Sequence, residues 1–125
     1  MEYIPTCIVG CLISYLMRRV SFVGQSLDDL KQFPENVKRE AGYQLDKVQR
    51  GLIPNDWKST SNMGVGVKEI QIKDATGIYR VIYVTKYLDT LFVLHAFKKK
   101  TQKIAKKDMN IIKERLKIIE QEIKK

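Results

Sequence analysis

Apolar residues recur along this chain in two rhythms. Between Glu35 and Arg50, Val37, Ala41, Leu45 and Val48 fall at spacings of four, four and three, which places them on one stripe of an α-helix. Gly51 stops that helix as a residue suited to a left-handed C-terminal turn. A shorter helix precedes it over Ser26–Phe33. Ser26 is expected as its N-cap, Asp28 and Asp29 favour its first turn, and Asp29 takes the N3 place of a capping box. Pro34 then suits the first position of the second helix, so the pair predicts a helical hairpin. After a loop over Leu52–Gly66 the period shortens to two. Val67–Lys73 alternates, with Val67, Glu69, Gln71 and Lys73 on one face and Lys68, Ile70 and Ile72 on the other. Asp74–Gly77 is a hairpin connection, and Ile78–Val84 is β-branched and aromatic apart from Arg80. A turn near Lys86–Asp89 leads to Thr90–Phe97, apolar almost throughout, as a central strand would be. Met17–Val23 reads as a first strand. Finally Met109, Ile112, Leu116, Ile119 and Ile123 form a narrow seam on a last helix, expected to pack on the chain's own sheet. The fold class expected is α+β: a twisted antiparallel sheet packed against an N-terminal helical hairpin and a C-terminal helix.

The chain has 125 residues, which suits a single domain able to fold without disulfide or metal. The expected division is 1–16 as an apolar, dispensable N-terminal extension and 17–125 as the functional domain, with Met17 a second possible start. The extension carries one charge, Glu2, and is interrupted by Pro5; its apolar run is short for a membrane span, and Glu2 at its front is unlike a signal peptide. A membrane anchor with Arg18 and Arg19 on the inner side is the alternative, and no stable membrane association is expected. Cys7 and Cys11, the only two cysteines, both lie in this extension. With one histidine besides, the body of the chain offers no zinc knuckle and no Cys/His catalytic pair, and a reducing, cytoplasmic setting is the default.

Twenty-three Lys and Arg against fourteen Asp and Glu give a net charge of +9. Such a balance concerns partners and points to nucleic acid, an anionic membrane or an acidic protein. Familiar catalytic arrangements fail one after another. Gly64-Val65-Gly66 is too short for a phosphate loop and precedes its strand. His95 lacks a nucleophile elbow and reads as a packed imidazole. Glu69 has no second acid for a paired-carboxylate hydrolase. Trp57 reads as a plug at the domain's edge, with base stacking its other possible duty. What is left is cationic. Arg80 in mid-strand is costly unless its fork meets a carboxylate, for which Glu69 is the neighbour, or a phosphate. Lys98, Lys99 and Lys100 leave the end of the apolar strand together. Cations gathered beside a sheet attract a phosphodiester. With the 2′-OH of RNA as nucleophile, Arg and Lys alone can stabilise the pentacoordinate phosphate without a metal.

Several strings, in this order and spacing, resemble the RelE/HigB-like toxins of bacterial type II toxin–antitoxin pairs, in particular their phage-derived branch. They are Ser26–Pro34 (SLDDLKQFP), Glu40–Leu45 (EAGYQL), Val48–Gly51 (VQRG), Asp56–Lys58 (DWK), Gly66–Ile70 (GVKEI), Tyr79–Tyr83 (YRVIY), Val93–Lys103 (VLHAFKKKTQK) and Asp108. The resemblance implies a microbial-ribonuclease-like fold and a metal-independent, cofactor-free endoribonuclease. It implies cleavage of mRNA, commonly on the ribosome, leaving a 2′,3′-cyclic phosphate, and a cognate antitoxin, often a helix-turn-helix protein. Arg80 corresponds to the strand arginine at the scissile phosphate. One of Lys98, Lys99 and Lys100 corresponds to a second catalytic cation, and Lys99 is the choice. Lys68, Lys73, Lys98, Lys100 and Lys103 are the expected RNA contacts. Relatives carry a lysine pair on the preceding strand and a C-terminal catalytic tyrosine; here Glu69 and Gln71 occupy those strand positions and no aromatic follows Phe97. Glu69 is then the candidate base, with Lys68 and Lys73 as alternatives. A non-catalytic RNA-, ribosome- or antitoxin-binding protein of the same fold is the competing expectation.

Overall fold

The computed structural model describes Met17 to Lys124, apart from Leu88, Thr101 and Gln102. The expected extension 1–16 lies outside the described residues. The elements run β1 (Arg19–Phe22), α1 (Ser26–Lys31), α2 (Glu35–Gln49), β2 (Trp57–Ser59), a 3₁₀ turn (Ser61–Met63), β3 (Val67–Asp74), β4 (Gly77–Tyr87), β5 (Thr90–Lys99) and α3 (Lys106–Lys124). The five strands form one sheet in the order β1-β5-β4-β3-β2. β2 to β5 pair antiparallel, as the short connections between β3, β4 and β5 require, while β1 lies parallel to β5 with Phe22 opposite Val93. The sheet is therefore mixed. Local patterning specifies a strand but not its direction, and β1 reaches β5 only after the chain has passed through the helices and three strands.

Alternation along β3 and β4 divides the core into two layers. Ile70, Ile72, Tyr79, Val81 and Tyr83 face α1 and α2, where they meet Leu30, Val37, Ala41 and Leu45. Val67, Ile82 and Val84 face the other way, onto Ile112, Leu116 and Ile119 of α3. The α3 seam thus packs on its own sheet through Met109, Ile112, Leu116 and Ile119; the side chain of Ile123 lies outside the described residues. A bulge shifts the β4–β5 register, so that Ile82 opposes His95 but Tyr83 opposes Val93. The extra residue lets Leu91, Val93 and Ala96 share the hairpin layer while Phe92, Leu94 and Phe97 share the α3 layer. Gly64 has φ 144°, and a Cβ there would collide with Leu116, so glycine lets the loop before β3 lie against α3.

Two local expectations are corrected. Ser26 does not cap α1: it is already helical and buried, Gln25 is the N-cap, and the Ser26 hydroxyl donates to the Val93 carbonyl at 3.0 Å. That bond ties α1 to β5, a tertiary use of the hydroxyl that outweighs the local one. Trp57 is no core plug. It lies on β2, a three-residue edge strand within the expected loop, and is 39% exposed.

Candidate active site

The face of the sheet that carries α3 turns ionic beyond the helix's apolar seam. Arg80 pairs across to Gln71 on β3 and to Phe97 on β5. Glu69, two residues along β3 from Gln71, points to the same side. Its carboxylate is fully buried and Arg80 is 3% exposed. Arg80 Nη1 donates to Glu69 Oε1 at 3.4 Å, a long bond, while Nε lies 3.0 Å from Oε2. The Nε hydrogen is not directed at that oxygen, so this second contact is an ion pair without a hydrogen bond. Oε2 instead accepts from Gln71 Nε2 at 3.0 Å. Gln71 and Arg80 together hold the carboxylate, which in turn holds the guanidinium. The costly mid-strand arginine is therefore matched by a carboxylate of the adjacent strand.

Arg80 lines two clefts. One, of about 470 Å³, runs toward Lys58, Thr60 and Met109; the other, of about 420 Å³, runs toward Lys99, Lys100 and Lys107. Lys103 and Ile104 border both, so the two clefts meet at Arg80. Lys99 reaches this face because it pairs with Ile78, two residues from Arg80 on β4. Partial desolvation lowers the Lys99 pKa, and repulsion from Arg80, Lys58 and Lys73 adds to it against an opposing pull from Glu69. An ammonium crowded by three cations gains from any anion placed among them.

Of the expected residues, Arg80, Glu69, Lys99, Lys73, Lys100 and Lys103 are thus gathered on one side of the sheet or at its rim. Lys68 and Lys98 turn their ammonium groups to the hairpin side, where Lys68 Nζ sits 5.3 Å from the Trp57 ring centre and Lys98 Nζ 5.8 Å from that of Tyr79, although Lys98 also borders the second cleft. Lys58 is a member that sequence reasoning missed. It pairs with Glu69 from β2 and so faces the Arg80 cleft. Three extended residues inside a run of turn formers leave too short an alternation to be seen.

His95 sits at the β5 bulge, next to this site. It is buried, stacks on Phe97 with ring centres 5.0 Å apart, and shares a 2.8 Å hydrogen bond between Nε2 and Asp108 Oδ1 at the start of α3. Nδ1 has no hydrogen-bond partner and lies 3.8 Å from Asp29 Oδ2. Arg115 adds a second tether by donating to the Leu94 carbonyl at 2.8 Å. Together they tie α3 to β5, the Asp108 bond at the start of the helix and the Arg115 bond near its middle. His95 is therefore a packed, hydrogen-bonded imidazole that helps place the cleft wall. Among the described residues no three His, Cys, Asp or Glu come together as a metal site, and no helix is long and apolar enough to cross a membrane.

Residues 28–117 match the family model described as phage derived protein Gp49-like (DUF891). The matched stretch contains Lys58, Glu69, Arg80, Lys99 and Lys103. No curated protein matches the chain.

Proposed function

The chain belongs to the Gp49-like family of phage-derived proteins, which is associated with toxin–antitoxin toxins, and on that premise we propose that it is the toxin of such a pair, a metal-independent endoribonuclease acting on mRNA at the ribosome. The observation that carries this reading is the convergence of Arg80 and Lys99 on one cleft system beside a single buried carboxylate. In the proposed reaction the RNA 2′-OH attacks the adjacent phosphorus and its proton passes to Glu69. The P–O5′ bond breaks, the leaving oxygen takes a proton from Lys99, and the products are a 2′,3′-cyclic phosphate and a 5′-hydroxyl. Arg80 neutralises the pentacoordinate phosphate. Its pairing with Glu69 is then the resting state: when the fork turns to phosphate, a carboxylate oxygen is released to accept the proton. A cognate antitoxin, of the helix-turn-helix kind, is the proposed protein partner.

The competing reading is a non-catalytic protein that binds RNA, the ribosome or the antitoxin. The complete burial of Glu69 and its engagement by both Arg80 and Gln71 favour it, since such a pair can be purely structural. Purified protein with a defined mRNA, with and without ribosomes, separates the two. Cleavage with a cyclic phosphate end is expected. Arg80→Ala is expected to cost about 2–4 kcal/mol of transition-state stabilisation, the scale for one electrostatic donor. Cleavage by that variant at the parental rate would refute the assignment of Arg80, and binding without any cleavage would favour the competing reading.

A further inference from the structure

β2 is one of the two edge strands of the sheet, and its successive side chains serve different faces. Lys58 enters the Arg80 cleft, while Trp57, paired with Ile70, turns to the hairpin side. There Trp57 is partly exposed over a pocket of about 150 Å³ whose walls include Arg18, Leu52, Pro54, Lys68 and Tyr83. None of the described residues lining it is acidic. Leu52 and Ile53 stand exposed at its rim, and Lys68 holds its ammonium near the indole. Arg18 is anchored by a 2.7 Å hydrogen bond from Nη1 to the Val48 carbonyl. Burial pushes the Tyr83 phenol up to about 12, against a smaller opposing effect of Arg18, so it stays protonated.

An aromatic face, an apolar rim and two cations, with no carboxylate to repel a phosphate, suit one chemical class: a nucleobase with its backbone phosphate. The volume argues the same way, because about 150 Å³ admits one small ring and is far too small for a docked helix. Position supplies the rest. A strand of RNA leaving the Arg80 cleft past Lys58 crosses a three-residue edge strand and meets Trp57 as the next side chain.

We propose that Trp57, with Lys68 and Arg18, forms a stacking subsite for a base flanking the phosphate bound at Arg80, so that single-stranded RNA wraps round the β2 edge. The inference rests on RNA as the ligand but not on turnover. Trp57 is the only tryptophan in the chain, so its emission reports the subsite directly. The probe is a short oligoribonucleotide with 2′-O-methyl riboses, which cannot be cleaved. It should quench Trp57 emission, and Trp57→Ala should weaken its binding roughly ten-fold, with Trp57→Phe restoring most of the loss. On cleavable RNA the same Ala variant should raise KM and leave kcat alone. Lys68→Glu, whose fold is checked by circular dichroism, should weaken binding and flatten its salt dependence. Unchanged emission together with unchanged affinity of Trp57→Ala overturns the subsite. So does an emission change that follows protein concentration instead of RNA, which would mark the patch as a protein interface. Quenching without cleavage of natural RNA keeps the subsite while rejecting the nuclease; cleavage without quenching does the reverse.

Discussion

The two faces of the sheet differ in what their strand residues do. Toward the hairpin, β3 and β4 present Ile70, Ile72, Tyr79, Val81 and Tyr83, all buried against α1 and α2. Toward α3, the same strands present Val67, Ile82 and Val84 under the helix, then Glu69 and Arg80 as a buried ion pair, then Lys99 and Lys73 at the open end. The hairpin layer takes no charged residue of β3 or β4 into its core. The α3 layer gives up part of its apolar area to charges that must be desolvated and matched. A small domain carries such an arrangement most readily where a helix ends, because the strand surface beyond it is roofed on one side only.

The sharpest way to break this contrast is to unbalance the pair. Glu69→Ala leaves a buried guanidinium without its carboxylate and should destabilise the protein by about 3–5 kcal/mol, read from urea unfolding midpoints. Replacing both partners by apolar residues should recover most of that loss. A Glu69→Ala protein as stable as the parent would mean that Arg80 is not held as described.

Cavities made on the two faces come next. Ile70→Ala and Ile82→Ala both truncate fully buried side chains, and each should cost about 2–5 kcal/mol. They should differ in function. Ile82 is the β4 partner of Glu69, so relaxation around it moves the ion pair and should lower cleavage beyond the loss of folded protein. Ile70 lies on the hairpin face as the cross-strand partner of Trp57, so its truncation should spare kcat and act on stability and, through Trp57, on KM. Equal kcat of the two folded variants would remove the functional distinction between the layers.

How much of this was legible in the chain follows from which interactions are local. The α2 stripe, the β3 alternation and the α3 seam are periodic within one element, and they locate the helices, the central strands and most of the core. Glu69 and Arg80 were legible as a pair because a hairpin with a short turn fixes the register between neighbouring strands. The direction of β1, the strand character of Trp57–Ser59 and the role of Ser26 were not legible, because each depends on a partner far along the chain: β5, β3 and the Val93 carbonyl. The bulge at Leu94 was likewise hidden, and with it the way β5 brings His95 to Asp108 while Lys99 remains on the Arg80 side. Lys58 entered the site only with β2.

A smaller effect tests the hairpin side. Ser26→Ala removes one buried hydrogen bond and should cost about 0.5–1.5 kcal/mol. The lower end is expected, since the Val93 carbonyl keeps the Val23 N–H at 3.0 Å. Cleavage by the folded variant should be unchanged, because the bond joins α1 to β5 away from Arg80.

The finest discrimination between the faces comes from pH. The fold disfavours the charged form of Lys99, through desolvation first and then its cationic neighbours. Its folded pKa therefore lies below its unfolded one. Folding is opposed while the amine is protonated in both states, and stability is regained as pH rises through the folded value. Cleavage that uses the ammonium runs in the opposite sense: it falls as pH rises through that same value, so the basic limb of the pH–rate profile should lie below the ordinary lysine range. Lys99→Arg should carry the limb upward, because a guanidinium does not titrate there. Lys58→Met removes one repelling charge and should also move it upward, by less. Lys98→Met should leave it in place, since the Lys98 ammonium lies over Tyr79 and is not among the charges that act on Lys99. A limb that shifts with Lys98 and ignores Lys58 would mean that the ionic face is not the one that handles the proton.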